Sequence, residues 1–125
     1  ISKRGLSSAV SLPGTTPNVL EKIMPAKTFV MTSLFEGMSN SLIEAMCIGL
    51  PVISTKVSGA VDLISHSNNG YMVEVGDSEK IAYYISSIVD DSFLAQRLGN
   101  EAQYIYNQLS VSKISRQWIE TLKNL

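Results

Sequence analysis

Short apolar runs alternate with segments in which apolar residues recur every three or four positions through the first part of the chain. Runs of this length are typical of buried strands, and the spaced segments are typical of amphipathic helices. We predict strands at 9–12, 28–32, 51–54 and 71–75 and helices at 19–24, 40–48 and 60–65. Strands that alternate with helices in this way indicate βα units, so we predict an α/β fold with a parallel sheet flanked by helices.

From residue 77 onward the pattern is helical throughout. We expect Asp77 or Ser78 to begin the first of three helices as its N-cap. Each helix carries one apolar stripe, formed by Ile81, Ile85, Ile88 and Val89 in the first, by Leu94, Leu98, Ala102 and Ile105 in the second, and by Val111, Ile114, Trp118 and Leu122 in the third. The sheet is therefore expected to carry a helical C-terminal tail.

Composition narrows the class of protein. A chain of 125 residues is the size of one ordinary domain, and with 45% hydrophobic residues it can bury a core. The formal charge is −1, and the scattered Lys and Arg residues form no basic cluster, so we expect no nucleic-acid partner. The single cysteine, Cys47, cannot form an intrachain disulfide and is predicted to lie in the core. Its isolation fits a reducing, cytoplasmic setting.

The chemistry is concentrated in the loop that joins the strand at 28–32 to the next helix. In open parallel sheets, ligands lie outside the carboxyl ends of the strands and next to helix N-termini. Helix N-termini bind phosphate because their first amides have no partner within the helix and lie at the positive end of the dipole. We therefore predict a diphosphate site at the backbone of Gly37, Met38, Ser39, Asn40 and Ser41.

Two carboxylates bracket this loop, Glu36 and Glu44, with seven residues between them. A carboxylate accepts two hydrogen bonds, which suits a vicinal diol such as a ribose. Glu44 is placed for that role, and Glu36 could reach the next group along, a sugar. Structural alternatives remain open: Ser41 and Glu44 have the spacing of a capping box, Asn40 or Ser41 could be a simple N-cap, and Glu36 could be a solvated loop residue.

The ordered series resembles a known family. The motifs are, in order, a glutamate, a glycine loop, a helix that contains a second glutamate and Ala-Met, and then Gly-Leu-Pro-Val-Ile. This order is similar to that of the retaining glycosyltransferases with two Rossmann-like domains. They are the GT-B enzymes of glycosyl transferases group 1, which include sucrose- and glycogen-synthase-like enzymes. The resemblance extends to the strand and glycine loop at 10–14, to the glycine turn and acidic helix at 58–64, and to the last strand and turn at 69–77.

The resemblance assigns a role to each site residue. It implies that Glu44 binds the ribose hydroxyls and that Glu36 is the catalytic residue, contacting the donor sugar and positioning its anomeric carbon. The amides of Met38, Ser39 and Asn40, within the loop from Gly37 to Ser41, would hold the diphosphate and stabilise the leaving group. Such enzymes need no metal and no cofactor beyond the nucleotide-diphospho-sugar itself.

The resemblance also sets expectations for the whole protein. Residues 1–125 would form part of the C-terminal nucleotide-sugar-binding domain. The start of that domain, with a basic Arg and Lys pair, and an N-terminal domain that binds a sugar or lipid-linked acceptor would precede it. Membrane-peripheral attachment of the whole protein is one option. Two alternatives stay open: an epimerase or phosphorylase of the same fold, and a non-catalytic domain that binds a nucleotide sugar or a partner protein.

Overall fold

A computed structural model describes residues 1–124. A 3₁₀ turn at Ser2–Arg4 precedes the main elements. In chain order these are α1 (Val19–Ile23), β1 (Phe29–Met31), α2 (Asn40–Cys47), β2 (Val52–Thr55), α3 (Ser58–Val61), β3 (Tyr71–Val73), α4 (Ser78–Asp90), α5 (Ser92–Gln103), α6 (Ile105–Gln108) and α7 (Val111–Lys123). No helix among these residues is long and apolar enough to cross a membrane.

The three strands form one parallel sheet in the order β1-β2-β3. All four residues of the central strand β2 are buried. Its side chains alternate between two apolar clusters: Val52 faces Leu42 and Met46 of α2, and Ile53 faces the cluster that contains Ile88 and Leu98 of α4 and α5. Both faces of the sheet are thus covered by helices, as parallel sheets require, and the predicted α/β class is confirmed.

The predicted strand at 9–12 is wrong. The Val10 amide donates to the Leu6 carbonyl at 3.0 Å in a turn, and Leu12 is 80% exposed. A strand is stable only when a neighbour pairs its N–H and C=O groups. Within the described residues the sheet pairs only β1, β2 and β3, so this apolar segment has no strand beside it.

Three other elements differ from the prediction by more than one residue at an end. The helix predicted at 60–65 forms earlier, at Ser58–Val61, and β3 ends at Val73. The second tail helix ends at Gln103, because the Tyr104 amide bonds the Glu101 carbonyl three residues back, at 3.3 Å, in a tight 3₁₀-type turn. Ile105 therefore begins α6 and packs against the core cluster around α2.

The end of α2 is fixed by two glycines. Gly49 has a φ of 76° and ends the helix, as predicted. Gly99 of α5 packs directly on it: a Cβ built at Gly99 would overlap the Gly49 carbonyl oxygen and lie 3.2 Å from its carbonyl carbon. This backbone contact brings α5 against the carboxyl end of α2. We call this end of the domain its base.

Candidate functional site

The loop from β1 to α2 is anchored to the sheet at its start. The Thr55 hydroxyl, buried at the end of β2, donates to the Ser33 carbonyl at 2.6 Å. Ser33 lies just beyond the carboxyl end of β1, so the bond links the ends of neighbouring parallel strands. The loop therefore leaves the sheet at the edge where α/β proteins bind ligands.

Ser39 is the N-cap of α2. Its side chain is 3% exposed, and its Oγ accepts from the Leu42 amide at 3.4 Å and lies 3.0 Å from the Ser41 Oγ. Asn40 is the first helical residue, so the simple N-cap alternatives at Asn40 and Ser41 are wrong. The capping box of Ser41 with Glu44 is wrong for the same reason, because Ser41 already lies inside the helix.

The first amides of α2 are free, as the predicted diphosphate site would require. Of these amides only that of Leu42 donates to Ser39 Oγ, and the amides of Asn40 and Ser41 have no acceptor anywhere in residues 1–124. Both residues are exposed. An anion at such a helix end gains about 0.3–1 kcal/mol from the dipole, in addition to the hydrogen bonds.

The loop is held on its other side by α3. A Cβ built at the buried Gly59 would overlap the Gly37 carbonyl oxygen and lie 3.0 Å from the Met38 Cα. The α3 backbone therefore packs directly against the Gly37–Met38 peptide. The sequence indicates only a glycine turn at Gly59; no local signal shows that its missing side chain leaves room for the loop.

Glu44 lies on the exposed face of α2 at the edge of an open cleft of about 430 Å³. The rest of the cleft is lined by the segment that begins α1: Pro17, Asn18, Val19, Leu20 and Glu21. No Lys, Arg or His of the described chain forms a salt bridge with the Glu44 carboxylate. The carboxylate is thus available to a ligand in the cleft.

Glu36 does not share this cleft. It is half-buried in the loop, next to Phe35 and Met38, which are 84% and 58% exposed. Glu36 thus lies in the loop before α2 and Glu44 one turn into the helix, with the free amides between them along the chain. No group of three or more His, Cys, Asp or Glu in residues 1–124 is arranged to hold a metal, and metal independence stays a prediction.

Known proteins are similar to this chain in sequence. N-acetyl-alpha-D-glucosaminyl L-malate synthase of Bacillus anthracis is 32% identical over 106 residues, which cover 84% of this chain and 28% of the relative. The capsular polysaccharide biosynthesis glycosyltransferase CapM of Staphylococcus aureus is 35% identical over 97 residues, covering 77% of this chain and 25% of the relative.

Solved structures match the arrangement of the elements. Anabaena Alr3699/HepE in complex with UDP superposes with a TM-score of 0.93 at 28% identity, over 100% of this chain and 35% of that one. A S. aureus TarM variant in complex with fondaparinux, alpha-GlcNAc-glycerol and UDP gives 0.90 at 30% identity, over 96% of this chain and 25% of that one.

The chain thus spans about a quarter to a third of the length of these relatives. Residues 1–104 match the family described as Glycosyl transferases group 1, a range that includes the anchored loop, α2, α3 and the cleft at Glu44. This chain belongs to the glycosyl transferases group 1 family.

Proposed function

We propose that the chain supplies the donor site of an enzyme that transfers a sugar from a nucleotide-diphospho-sugar to an acceptor with retention, in glycan biosynthesis. One observation carries the proposal: a carboxylate without an ion-pair partner, Glu44, opens on a cleft one helical turn after the free amides of α2. A ribose and a diphosphate are covalently adjacent groups, and these two features lie in matching order along one helix.

The nucleoside would occupy the cleft. Glu44 is its only charged residue besides Glu21, and Glu21 already accepts a hydrogen bond from the Asn18 amide group at 3.1 Å. Glu44 is therefore the carboxylate free to accept both hydroxyls of a ribose. Val19 and Leu20, 45% and 42% exposed, offer apolar surface on which a base can pack.

The diphosphate would lie at the N-terminus of α2. From Ser33 to Pro51 the sequence contains no Lys or Arg, so this segment can hold the anion only through backbone amides and the helix dipole. Because the leaving nucleoside diphosphate gains negative charge as the sugar departs, amides fixed at this point stabilise the transition state. The basic Arg and Lys pair that the resemblance implies would add to this field from the preceding sequence.

Glu36 would act on the sugar. It lies in the loop before the free amides and does not line the ribose cleft, so along the chain it stands where the group beyond the diphosphate is expected. In this role it accepts hydrogen bonds from sugar hydroxyls and positions the anomeric carbon for attack. Retention and independence of metal belong to the proposal through the family resemblance. The UDP-glucose complex of Anabaena Alr3699/HepE, which has the same fold over this whole chain, supports a nucleotide-sugar donor.

The acceptor would be bound mainly outside this chain. The names of the relatives include enzymes of capsule and lipopolysaccharide synthesis and a galactosyltransferase acting on a diphosphoundecaprenol-linked sugar. We therefore propose a sugar or lipid-linked acceptor, held by the N-terminal domain of the whole protein. An epimerase or phosphorylase of the same fold differs in its products, which analysis of the whole protein's reaction would identify.

Replacing Glu44 with glutamine is expected to weaken UDP binding by about 10- to 100-fold, because a hydrogen bond to a charged group is worth about 1.5–3 kcal/mol. The free energy of unfolding should change by less than about 0.5 kcal/mol, since Glu44 makes no cap. Isothermal titration calorimetry and chemical denaturation measure the two quantities. Glu120→Gln, an exposed glutamate of α7, is the control. A large stability loss with unchanged UDP affinity would refute the ribose assignment.

A further inference from the structure

A second open groove, of about 490 Å³, lies at the other end of α2. Its lining combines one residue of α2 with the end of α5 and the start of α6: Cys47, Asn100, Gln103, Tyr104, Tyr106 and Asn107. The groove is a built feature: Gln103 Nε2 donates to the Cys47 carbonyl at 3.3 Å, and Ile105 and Leu109 pack into the core cluster around α2. With the turn between α5 and α6 fixed by these contacts, Tyr104 and Tyr106 both lie on the outer surface.

The groove is lined by amide and tyrosine side chains and by one thiol. It contains three amide side chains and two tyrosines that are 63% and 65% exposed, and it contains no Asp, Glu, Lys or Arg. Each amide offers a donor and an acceptor together, which matches the hydroxyls of a sugar ring. A tyrosine ring offers an apolar face with a polar edge. The volume lies within the range of about 300–1,000 Å³ that small-molecule sites occupy.

Other ligand classes fit the lining less well. A phosphate or nucleic acid would need a cation or the free amides of a long helix; the described lining contains no cation, and α6, which begins beside the groove, has only 4 residues. A helical peptide would need a pocket for its apolar anchors, and among residues 1–124 no Leu, Ile, Val, Met or Phe lines the groove. A metal would need more than the single thiol of Cys47. A neutral molecule with many hydroxyl groups satisfies both the amides and the aromatic faces.

We propose that the groove at Cys47, Gln103 and Tyr106 is a second saccharide-binding site, which holds a neutral oligosaccharide in a groove that shares no lining residue with the cleft at Glu44. The rise from Asn40 to Cys47 along α2 is about 10 Å, so the groove and the free amides lie at opposite ends of the helix. The assignment of the groove comes from the lining alone and does not depend on the donor site.

Cys47 provides the test, because it is the only cysteine of the chain and lines the groove. Burial, and then the nearby Glu44 carboxylate, raise the pKa of its thiol, so iodoacetamide alkylation is best followed at alkaline pH. Maltotetraose, chitotetraose and mannotetraose are added in turn. With a Kd on the order of 1 mM, about 10 mM of a bound saccharide slows alkylation by about tenfold, because the free fraction falls as 1/(1 + [L]/Kd).

Variants distinguish protection by a bound saccharide from non-specific masking of the Cys47 thiol. Tyr106→Ala with Asn107→Ala should abolish protection, whereas Tyr83→Ala should retain it, since Tyr83 has the same 65% exposure but lies on α4. Circular dichroism confirms that each variant is folded. Protection by none of the three saccharides, or equal protection in both variants, overturns the proposal. UDP titration of the same samples reports the donor site separately, so either proposal can fail alone.

Discussion

Replacing Gly59 with alanine is expected to cause the largest loss of nucleotide binding of any single methyl group added to this chain. The added Cβ would overlap the Gly37 carbonyl oxygen and crowd the Met38 Cα at 3.0 Å. Both are backbone atoms, so no side chain can rotate away to make room. Either α3 or the loop must move, and loop movement displaces the amides of the anion site.

The expected effect has two parts. Overpacking of this kind costs about 1–3 kcal/mol of folding free energy, and we expect about 3 kcal/mol here because backbone meets backbone. UDP affinity should fall by at least about 100-fold, since misplacing the amides of Asn40 and Ser41 forfeits two hydrogen bonds to a charged group, each worth about 1.5–3 kcal/mol. Chemical denaturation and calorimetry measure the two losses.

Gly37→Ala is the matched control for stability. Its Cβ would meet no atom within 4 Å, and its φ is outside the left-handed region. The change should alter the free energy of unfolding by less than about 0.5 kcal/mol. Wild-type stability and UDP affinity in Gly59→Ala would show that α3 does not support the loop.

The second large effect is expected at the base of the domain, where Gly99→Ala should lower the free energy of unfolding by about 3 kcal/mol. Helix propensity alone would favour alanine over glycine in α5 by about 1 kcal/mol. The new Cβ would overlap the Gly49 carbonyl oxygen, and Gly49 is held at a φ of 76° by the end of α2. We expect the overlap to outweigh the propensity.

Thermal and chemical unfolding measure this loss. Gln96→Ala, an exposed change in the same helix, is the control and should stay within about 0.5 kcal/mol of the parent. A Gly99→Ala chain as stable as the parent, or more so, would mean that α5 does not rest on the Gly49 turn.

The structural features predicted correctly from the sequence are those that depend on the local pattern of residues. The buried strand β2, the helix that Gly49 ends, and the Asp77 cap, which accepts from the Lys80 amide at 2.9 Å, follow from apolar runs and from residues with strong local preferences. The apolar segment at 9–12 has the composition of a strand, but pairing depends on neighbouring strands, and local composition does not reveal them.

The candidate site was predictable to a similar degree. The motif predicted the loop, the helix that follows it and the position of Glu44 in that helix. In a βα unit the first turn of the helix lies beside the carboxyl end of the preceding strand. The cap at Ser39 was missed, since Ser41 has the more familiar spacing to Glu44. The support by Gly59 and the groove at Cys47 could not be predicted, because both depend on contacts between residues distant along the chain.

The most direct test of the donor site is an amide-shift NMR titration of this chain with millimolar UDP. We predict shift changes concentrated in two segments, 37–44 in the loop and first turns of α2 and 18–21 at the start of α1. They should be lost in Gly59→Ala and weakened in Glu44→Gln. No shifts with millimolar UDP, or shifts confined to residues outside these segments, would contradict a nucleotide-sugar donor site in this chain.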